Sequence, residues 1–243
     1  MLTRTTFSAA RVNSFVLCTG AVIAPEPYER APDEIRRALR AADKDRNGHL
    51  WYLALSGLRR AEIAGLKWSD IDFTAGTLTI ARGRVQAGAG NVVEGDPKTL
   101  SSRRTLPLDD GLVGIPRRAS VRYTEERLAL GAAHADSGYV AVNEAGQPYT
   151  PDTLTRMWHK LAKAAGVRPI RLHDARHSCG TALHLRGVPL AVIAKWLGHA
   201  DASITARIYA HGQDEALREA GKSLGELMLL LLLGSQAAIS HRR

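Results

Sequence analysis

The chain is poor in cysteine and has no long hydrophobic run. Cys18 and Cys179 are the two cysteines among 243 residues, too few for the disulfide framework that holds small secreted domains together. A helix that spans a bilayer needs about 20 apolar residues, whereas Leu227 to Leu233 gives a run of only seven. We therefore expect a protein of a reducing compartment, with no membrane span.

We also expect no secretory leader. The apolar run from Ser14 to Ala24 follows Arg4 and Arg11 and imitates a signal peptide. Pro25 comes next, however, and no small-x-small cleavage site precedes it. We interpret residues 1–30 as a lead-in or linker.

Acidic residues are in deficit. Asp and Glu total 24 against 33 Lys and Arg, which gives a formal net charge of +9. Such a surplus attracts polyanions, either nucleic acid or anionic lipid, although a basic surface also serves solubility alone. Apolar residues make up 45% and charged residues 23% of the chain, a globular balance that excludes a disordered or collagen-like protein.

The hydrophobic pattern predicts a mostly α-helical fold with a small antiparallel β-sheet. Helical periodicity occupies parts of residues 32–68 and most of residues 150–233, with Pro116 in a helix-like stretch that resists placement. Between them, Thr77–Ile80, Val92–Val93 and Thr105–Leu106 are β-branched, alternating segments, and Pro97-Lys98 makes a turn.

Two patterns imitate metal sites. Asp43 to Gly48 copies the first half of an EF-hand loop, but Ala54 stands where calcium needs a bidentate carboxylate. His173 and His177 are spaced to hold zinc on one helix, with Cys179 and His184 following, yet Arg176 between them would repel a cation. We predict no metal and no cofactor.

Four polar segments together indicate a site for a phosphate group. Each contains basic side chains or histidine, and each has an ordinary alternative as a helix-surface ion cluster, a solvated turn or a packing residue. An Arg at a helix start adds its donors to exposed N–H groups, and His and Arg three apart project from one helix face. The segments are Ser56–Ile63, Pro97–Arg104, His173–His177, and Leu197–His199 with Tyr209 ten residues later.

In this order the segments resemble the catalytic domain of the tyrosine recombinase, or phage integrase, family. That family carries Arg in a Thr/Ser-Gly-x-Arg-x-x-Glu box, Lys on a β-turn, His-x-x-Arg, Leu-Gly-His and then Tyr. The resemblance spans roughly residues 32–222. It implies a DNA breaking-rejoining catalytic domain over residues 31–222, followed by a tail or helix over residues 223–243.

The resemblance also implies a role for each matching residue. Arg59 and Arg176 clamp the non-bridging oxygens of the scissile phosphate, and His173 and His199 add hydrogen bonds. Lys98 protonates the departing 5′-oxygen, and Tyr209 attacks phosphorus to form a 3′-phosphotyrosine. Glu62 supports the neighbouring side chains.

The chemistry suits these residue types. A free tyrosine has a pKa near 10, so about one in a thousand is ionised at neutral pH. Two guanidinium groups favour the phenolate and stabilise charge on the phosphoryl oxygens. No divalent metal is then required, and the covalent link conserves the energy of the broken bond, so no ATP is required.

The implied partner is double-stranded DNA, on which such recombinases assemble as homotetramers with accessory DNA-bending proteins. We expect a cytoplasmic, nucleoid-associated protein of a bacterium or phage. The function expected is site-specific recombination, as an integrase of a phage or mobile element or as a chromosome- or transposon-resolving recombinase.

The sequence departs from the pattern of this family in two respects, which leave a further functional alternative open. Ala175 replaces the usual Leu between His and Arg. The roughly 30 residues before the first catalytic helix do not resemble the helical core-binding domain of relatives, so we expect a fragment or a natural truncation that binds DNA weakly. A DNA-binding remnant without turnover is the alternative from another functional class.

Overall fold

The structure is a computed structural model of the chain. It describes residues 32–88, 91–95, 103–168 and 171–199, together with Lys222 and Leu224. Lys98, Tyr209, residues 1–30 and the run Leu227 to Leu233 lie outside these described residues. Among the helices described, none is long and apolar enough to cross a membrane.

The described part is mostly helical with two small antiparallel sheets, in agreement with the predicted fold class. The helices are α1 (Pro32–Asp43), α2 (Gly48–Leu55), α3 (Arg60–Gly65), α4 (Asp110–Leu130), α5 (Pro151–Ala164), α6 (Leu172–Leu185) and α7 (Leu190–Leu197). The strands are β1 (Ile71–Asp72), β2 (Thr77–Ile80), β3 (Gly83–Gln86), β4 (Val92–Gly95) and β5 (Arg104–Pro107).

The predicted sheet divides into two. Strands β1, β2 and β5 form one sheet in that order, with Leu78 opposite Leu106, and β3 pairs with β4 as a separate hairpin. Leu78 and Ile80 of β2 are buried while Thr77 and Thr79 are less so, the alternation expected of a strand with one face on a core. The Gly-rich stretch from Gly83 to Gly90 begins with strand β3, which the periodicity of the sequence did not predict.

Helix α2 lies at the centre of the molecule. It carries almost no polar side chains, and Leu50, Trp51 and Ala54 are fully buried. Trp51 packs against Trp158 of α5 with ring centroids 5.8 Å apart. Aromatic pairs of this kind bury much apolar area, and this one joins α2 to α5.

Helix boundaries follow ordinary capping chemistry. The Thr150 side chain accepts a hydrogen bond from the Thr153 amide, and Pro151 opens α5. Gly198 ends α7 in the left-handed conformation, with φ +64°. The helical pattern in the sequence runs from Leu58 to Trp68, but α3 is shorter, because the chain is extended at Arg59 and again at Leu66.

The half EF-hand loop is a helix-to-helix turn held by its own carboxylates. Asp45 accepts hydrogen bonds from the Trp51 indole (2.7 Å) and the Asn47 amide (3.0 Å). Asp43 accepts one from the Tyr52 hydroxyl at 2.8 Å. The acidic side chains thus fix the entry into α2.

Candidate functional site

The site forms where α3, α6 and the end of α7 meet. Arg59 precedes α3, Arg176 lies one turn into α6, and His199 follows α7. Long-range hydrogen bonds join these segments, so residues far apart in the sequence share one location.

Arg59 is held by a side chain and by the main chain. Its guanidinium donates to Glu62 Oε1 at 2.7 Å and to the Gly198 carbonyl at 2.8 Å. The Arg59 amide donates to Glu62 Oε2 at 2.8 Å. With 31% of its side chain exposed, Arg59 is fixed in place while part of its fork still faces solvent.

Arg176 is nearly completely buried, with 1% exposure. Its guanidinium donates to the carbonyls of Gly57, at 2.6 Å, and Leu197. Its Nε finds no acceptor within the described part of the chain. Burial, followed by the charge of Arg59, lowers the pKa of Arg176 to about 9, which still leaves the group positively charged at neutral pH.

The neighbouring Ala175 is buried in the core. With this small side chain at residue 175, Arg176 is still buried, as expected. Gly57 contributes in another way, since its φ of +98° and its contact with α7 leave no room for a Cβ, which would lie 2.8 Å from Leu197. The turn that offers the residue 57 carbonyl to Arg176 therefore favours glycine.

Glu62 is a buried carboxylate shared by two guanidiniums. Oε1 accepts from Arg104 at 3.0 Å as well as from Arg59, and Oε2 accepts from Arg104 at 3.0 Å. Burial alone would raise the pKa of Glu62, but the hydrogen bond and charge of Arg104, and then Arg59, outweigh it and hold that pKa below its ordinary value. Glu62 is thus an ionised support.

Two histidines flank the guanidiniums. His173 is exposed at the start of α6, and His199 is half-buried after α7. Partial shielding from solvent, followed by the charge of Arg176, lowers the pKa of both, that of His199 to about 4. Both imidazoles are therefore neutral at pH 7, and each can donate or accept a hydrogen bond.

Sequence reasoning missed two residues at this location. Arg104 was part of the basic segment after the turn, but no role was assigned to it. His177 contacts His173 edge to face, with ring centroids 4.7 Å apart, and burial, followed by His173, lowers its pKa to about 4. The one available signal for Arg104 was its place directly before the predicted strand Thr105–Leu106, of which Leu106 is buried.

The structure thus brings together Arg59, Glu62, His173, Arg176 and His199 of the predicted set. Lys98 and Tyr209 lie outside the described residues. Three guanidiniums surround one carboxylate, which leaves a positive surplus, and the two neutral imidazoles add hydrogen-bonding groups. Such an arrangement suits a phosphate anion. Among the described residues, no group of three His, Cys, Asp or Glu side chains is placed to hold a metal ion.

The sequence of the chain is similar to sequences of one known protein family. A model of the phage integrase family matches residues 31–216. A tyrosine recombinase XerC-like protein of Caldanaerobacter subterraneus subsp. tengcongensis is 33% identical over 234 residues, covering 87% of this chain and 60% of that protein. The ICEBs1 integrase of Bacillus subtilis is 28% identical over 174 residues, covering 72% of this chain and 47% of that protein. The chain spans about half to three fifths of the length of these relatives.

Solved structures share the fold. The Tn1549 transposon integrase in complex with transposon right end DNA superposes with a TM-score of 0.69 at 20% identity, covering 84% of this chain and 68% of that one. The catalytic domain of bacteriophage HP1 integrase gives a TM-score of 0.52 at 18% identity, covering 81% of this chain and 95% of that one.

Proposed function

Because the chain belongs to the phage integrase family, we propose that it cuts and rejoins double-stranded DNA through a 3′-phosphotyrosine on Tyr209. The observation that carries this proposal is the placement of Arg59 and Arg176. Two positively charged forks, held on the carbonyls of Gly198, Gly57 and Leu197, meet beside two neutral imidazoles. A phosphodiester is the part of DNA that such a pocket suits best.

In the proposed cleavage step the Tyr209 oxygen attacks phosphorus and the bond to the 5′-oxygen breaks. The phenolic proton passes to a neutral imidazole, for which His173 is the proposed acceptor, and Lys98 gives a proton to the departing 5′-oxygen. The strand ends as a 3′-phosphotyrosine and a free 5′-hydroxyl. In the reverse direction a 5′-hydroxyl from another strand attacks the phosphotyrosine, and Tyr209 leaves.

The guanidiniums stabilise the transition state. Negative charge grows on the non-bridging oxygens as phosphorus gains a fifth substituent, and Arg59 and Arg176 are already in position to receive it. Removing one such preorganised donor typically costs about 3 kcal/mol, or a hundredfold and more in rate. His199, neutral at pH 7, donates a hydrogen bond to the same phosphate in this proposal.

We further propose that residues 31–222 form the catalytic unit and residues 223–243 a separate tail or helix. Assembly as a homotetramer on DNA, help from DNA-bending proteins, and a cytoplasmic location at the nucleoid belong to the same proposal. The net charge of +9 supports attraction to the DNA backbone. Integration into a host chromosome is the favoured outcome, with resolution of chromosome or transposon copies as the alternative.

A nicked suicide substrate tests the proposal. A pool of duplexes with randomised sequence carries a nick placed so that the short fragment released by cleavage diffuses away and religation stops. Denaturing electrophoresis then separates covalent adducts, and sequencing of the trapped strands identifies the target. We expect an adduct that forms in EDTA and is absent from Tyr209→Phe.

If the protein is instead a DNA-binding remnant without turnover, the same experiment gives a different result. It would give a salt-sensitive gel shift across the same pool and no adduct at any sequence. An adduct that persists in Tyr209→Phe would contradict the assignment of the nucleophile, and an adduct that EDTA abolishes would contradict the metal-free mechanism.

A further inference from the structure

Arg104 is a buried guanidinium at the site that no step of the proposed reaction uses. It is the first residue of β5, and only 5% of its side chain is exposed. Buried arginines are rare because desolvation of the charge is costly. The position therefore requires an explanation in terms of what the guanidinium holds.

The Arg104 side chain contacts two separate segments of the site, one at Glu62 and one at Trp196. On one side it forms a fork with the Glu62 carboxylate, with both nitrogen–oxygen distances at 3.0 Å. On the other side its Nε donates to the Trp196 carbonyl at 2.6 Å. Trp196 lies in the last turn of α7, three residues before His199. One planar group thus connects the support of Arg59 to the helix end that carries His199.

Arg104 also packs closely against Gly198, two residues after Trp196. A Cβ on Gly198 would lie 2.6 Å from an Arg104 terminal nitrogen. The same Gly198 offers its carbonyl to Arg59. Arg104 therefore contacts both hydrogen-bond partners of the Arg59 guanidinium, Gly198 and Glu62.

Arg176 is buried as well, but its Nε finds no acceptor within the described part of the chain. What separates Arg104 from the two arginines assigned to phosphate is therefore the pairing of its donors. Its terminal nitrogens are engaged by Glu62 and its Nε by a main-chain carbonyl, whereas 31% of the Arg59 side chain is exposed. Geometry of this kind orients other residues and leaves no open fork for a second anion.

We infer that Arg104 is a positioning residue for strand cleavage, which fixes Glu62 and thereby Arg59 relative to the His199 end of α7. This inference rests on the proposed function. Lysine cannot replace it, since a single ammonium cannot bridge both carboxylate oxygens and the Trp196 carbonyl at once.

The test compares Arg104 with a matched arginine elsewhere. Arg46 also grips a glutamate with two nitrogens, Glu126 at 2.8 and 2.5 Å, and donates to a main-chain carbonyl, that of Val142 at 2.9 Å. Arg46 precedes α2 and contacts Glu126 of α4, whereas Arg59 follows the other end of α2. Arg104→Lys, Arg104→Ala, Arg46→Lys and Arg46→Ala are assayed for DNA affinity and for the single-turnover rate of adduct formation at saturating DNA.

We expect both Arg104 variants to form adduct at least twentyfold more slowly, with DNA affinity within threefold of the parent. Methylguanidinium added to Arg104→Ala should restore the rate at least tenfold, because it can occupy the vacated space. The Arg46 variants should retain the parental rate. Parental rates in the Arg104 variants, an equal loss in the Arg46 variants, or a loss confined to DNA affinity would each overturn the inference.

A second measurement is independent of cleavage. Orthovanadate resembles a phosphorus centre under attack, and its dissociation constant is obtained from the shift of the His199 ring resonances by NMR. Arg104→Lys should weaken vanadate binding at least fivefold, and Arg46→Lys should leave it unchanged. If the parent protein forms no adduct, the proposed function fails, while equal vanadate binding in Arg104→Lys and the parent overturns the positioning role.

Discussion

The guanidinium of Arg59 donates a 2.8 Å hydrogen bond to the main-chain carbonyl of Gly198, 139 residues later in the chain. This contact places the first arginine of the site against the turn that leads to His199. Arg176 is held in a similar way by carbonyls of Gly57 and Leu197. The proposed phosphate ligands are thus fixed largely by the backbone.

Arg59→Lys should lower the rate of adduct formation about a hundredfold. Lysine keeps the charge, but it cannot hold Glu62 and Gly198 while presenting a fork to phosphate. The measurement is single-turnover cleavage at saturating DNA. Arg60→Lys is the control, because Arg60 contacts Asp152 and Thr155 on the surface and should react within twofold of the parent; equal rates for both variants would refute the assignment of Arg59.

Gly198→Ala should destabilise the fold by about 2–3 kcal/mol, measured by urea unfolding. The left-handed φ of +64° and the 2.6 Å approach of Arg104 to a Cβ both contribute. Gly187→Ala is the matched control, because its φ is +76° but no described atom lies within 4 Å of its Cβ; it should cost only about 1 kcal/mol. An equal cost at the two positions would show that Arg104 does not press on Gly198.

His49 should make the fold sensitive to mild acid. It is 8% exposed, and burial lowers its pKa from 6.5 to about 4. Between these values the unfolded chain binds a proton that the folded chain does not, so this contribution to stability is complete above pH 6.5 and is lost as the pH falls towards 4. The expected loss from this residue is about 2 kcal/mol between pH 7 and pH 5.

Urea unfolding at pH 7, 6 and 5 measures this effect. His49→Gln should lose less stability on acidification than the parent, since the amide keeps a donor for the Val140 carbonyl and does not titrate. His159→Gln, on an exposed position of α5, should follow the parental curve. If His49→Gln also follows it, the buried imidazole is not the source of the acid sensitivity.

Phosphate binding should raise the pKa of His199. In the unliganded protein, burial and the charges of Arg176 and Arg59 lower that pKa to about 4. An anion between the two guanidiniums offsets their charge and favours the protonated ring, so the pKa should rise by about one pH unit. NMR titration of the ring in parent protein, with chloride or with inorganic phosphate at matched ionic strength, checks this; an unchanged midpoint would place the anion elsewhere.

Sequence patterns identified the family, and they predicted five residues that the structure brings together, because each motif carries its own spacing. The caps of α5 and the glycine that ends α7 were predictable for the same reason, since capping chemistry is local. Arg104 was not assigned a role, because its partners Glu62 and Trp196 lie 42 and 92 residues away. No local pattern encodes such a contact.

Helix α4 could not be predicted from the sequence for a different reason. Pro116 breaks the helical pattern, as a residue without an amide proton should, yet the helix continues from Asp110 to Leu130. Pro116 is buried and lines a small apolar cavity with Leu112 and Trp196. Tertiary packing there outweighs a local preference, and single-sequence reasoning has no access to it.

Arginines anchored on carbonyls more than a hundred residues away also have a consequence during protein synthesis. Until the ribosome has released residue 198, Arg59 has no Gly198 carbonyl to rest on and Arg176 has no Leu197 carbonyl. A nascent or prematurely terminated chain that ends before residue 197 therefore lacks these two carbonyls and cannot hold Arg59 and Arg176 as the folded chain does.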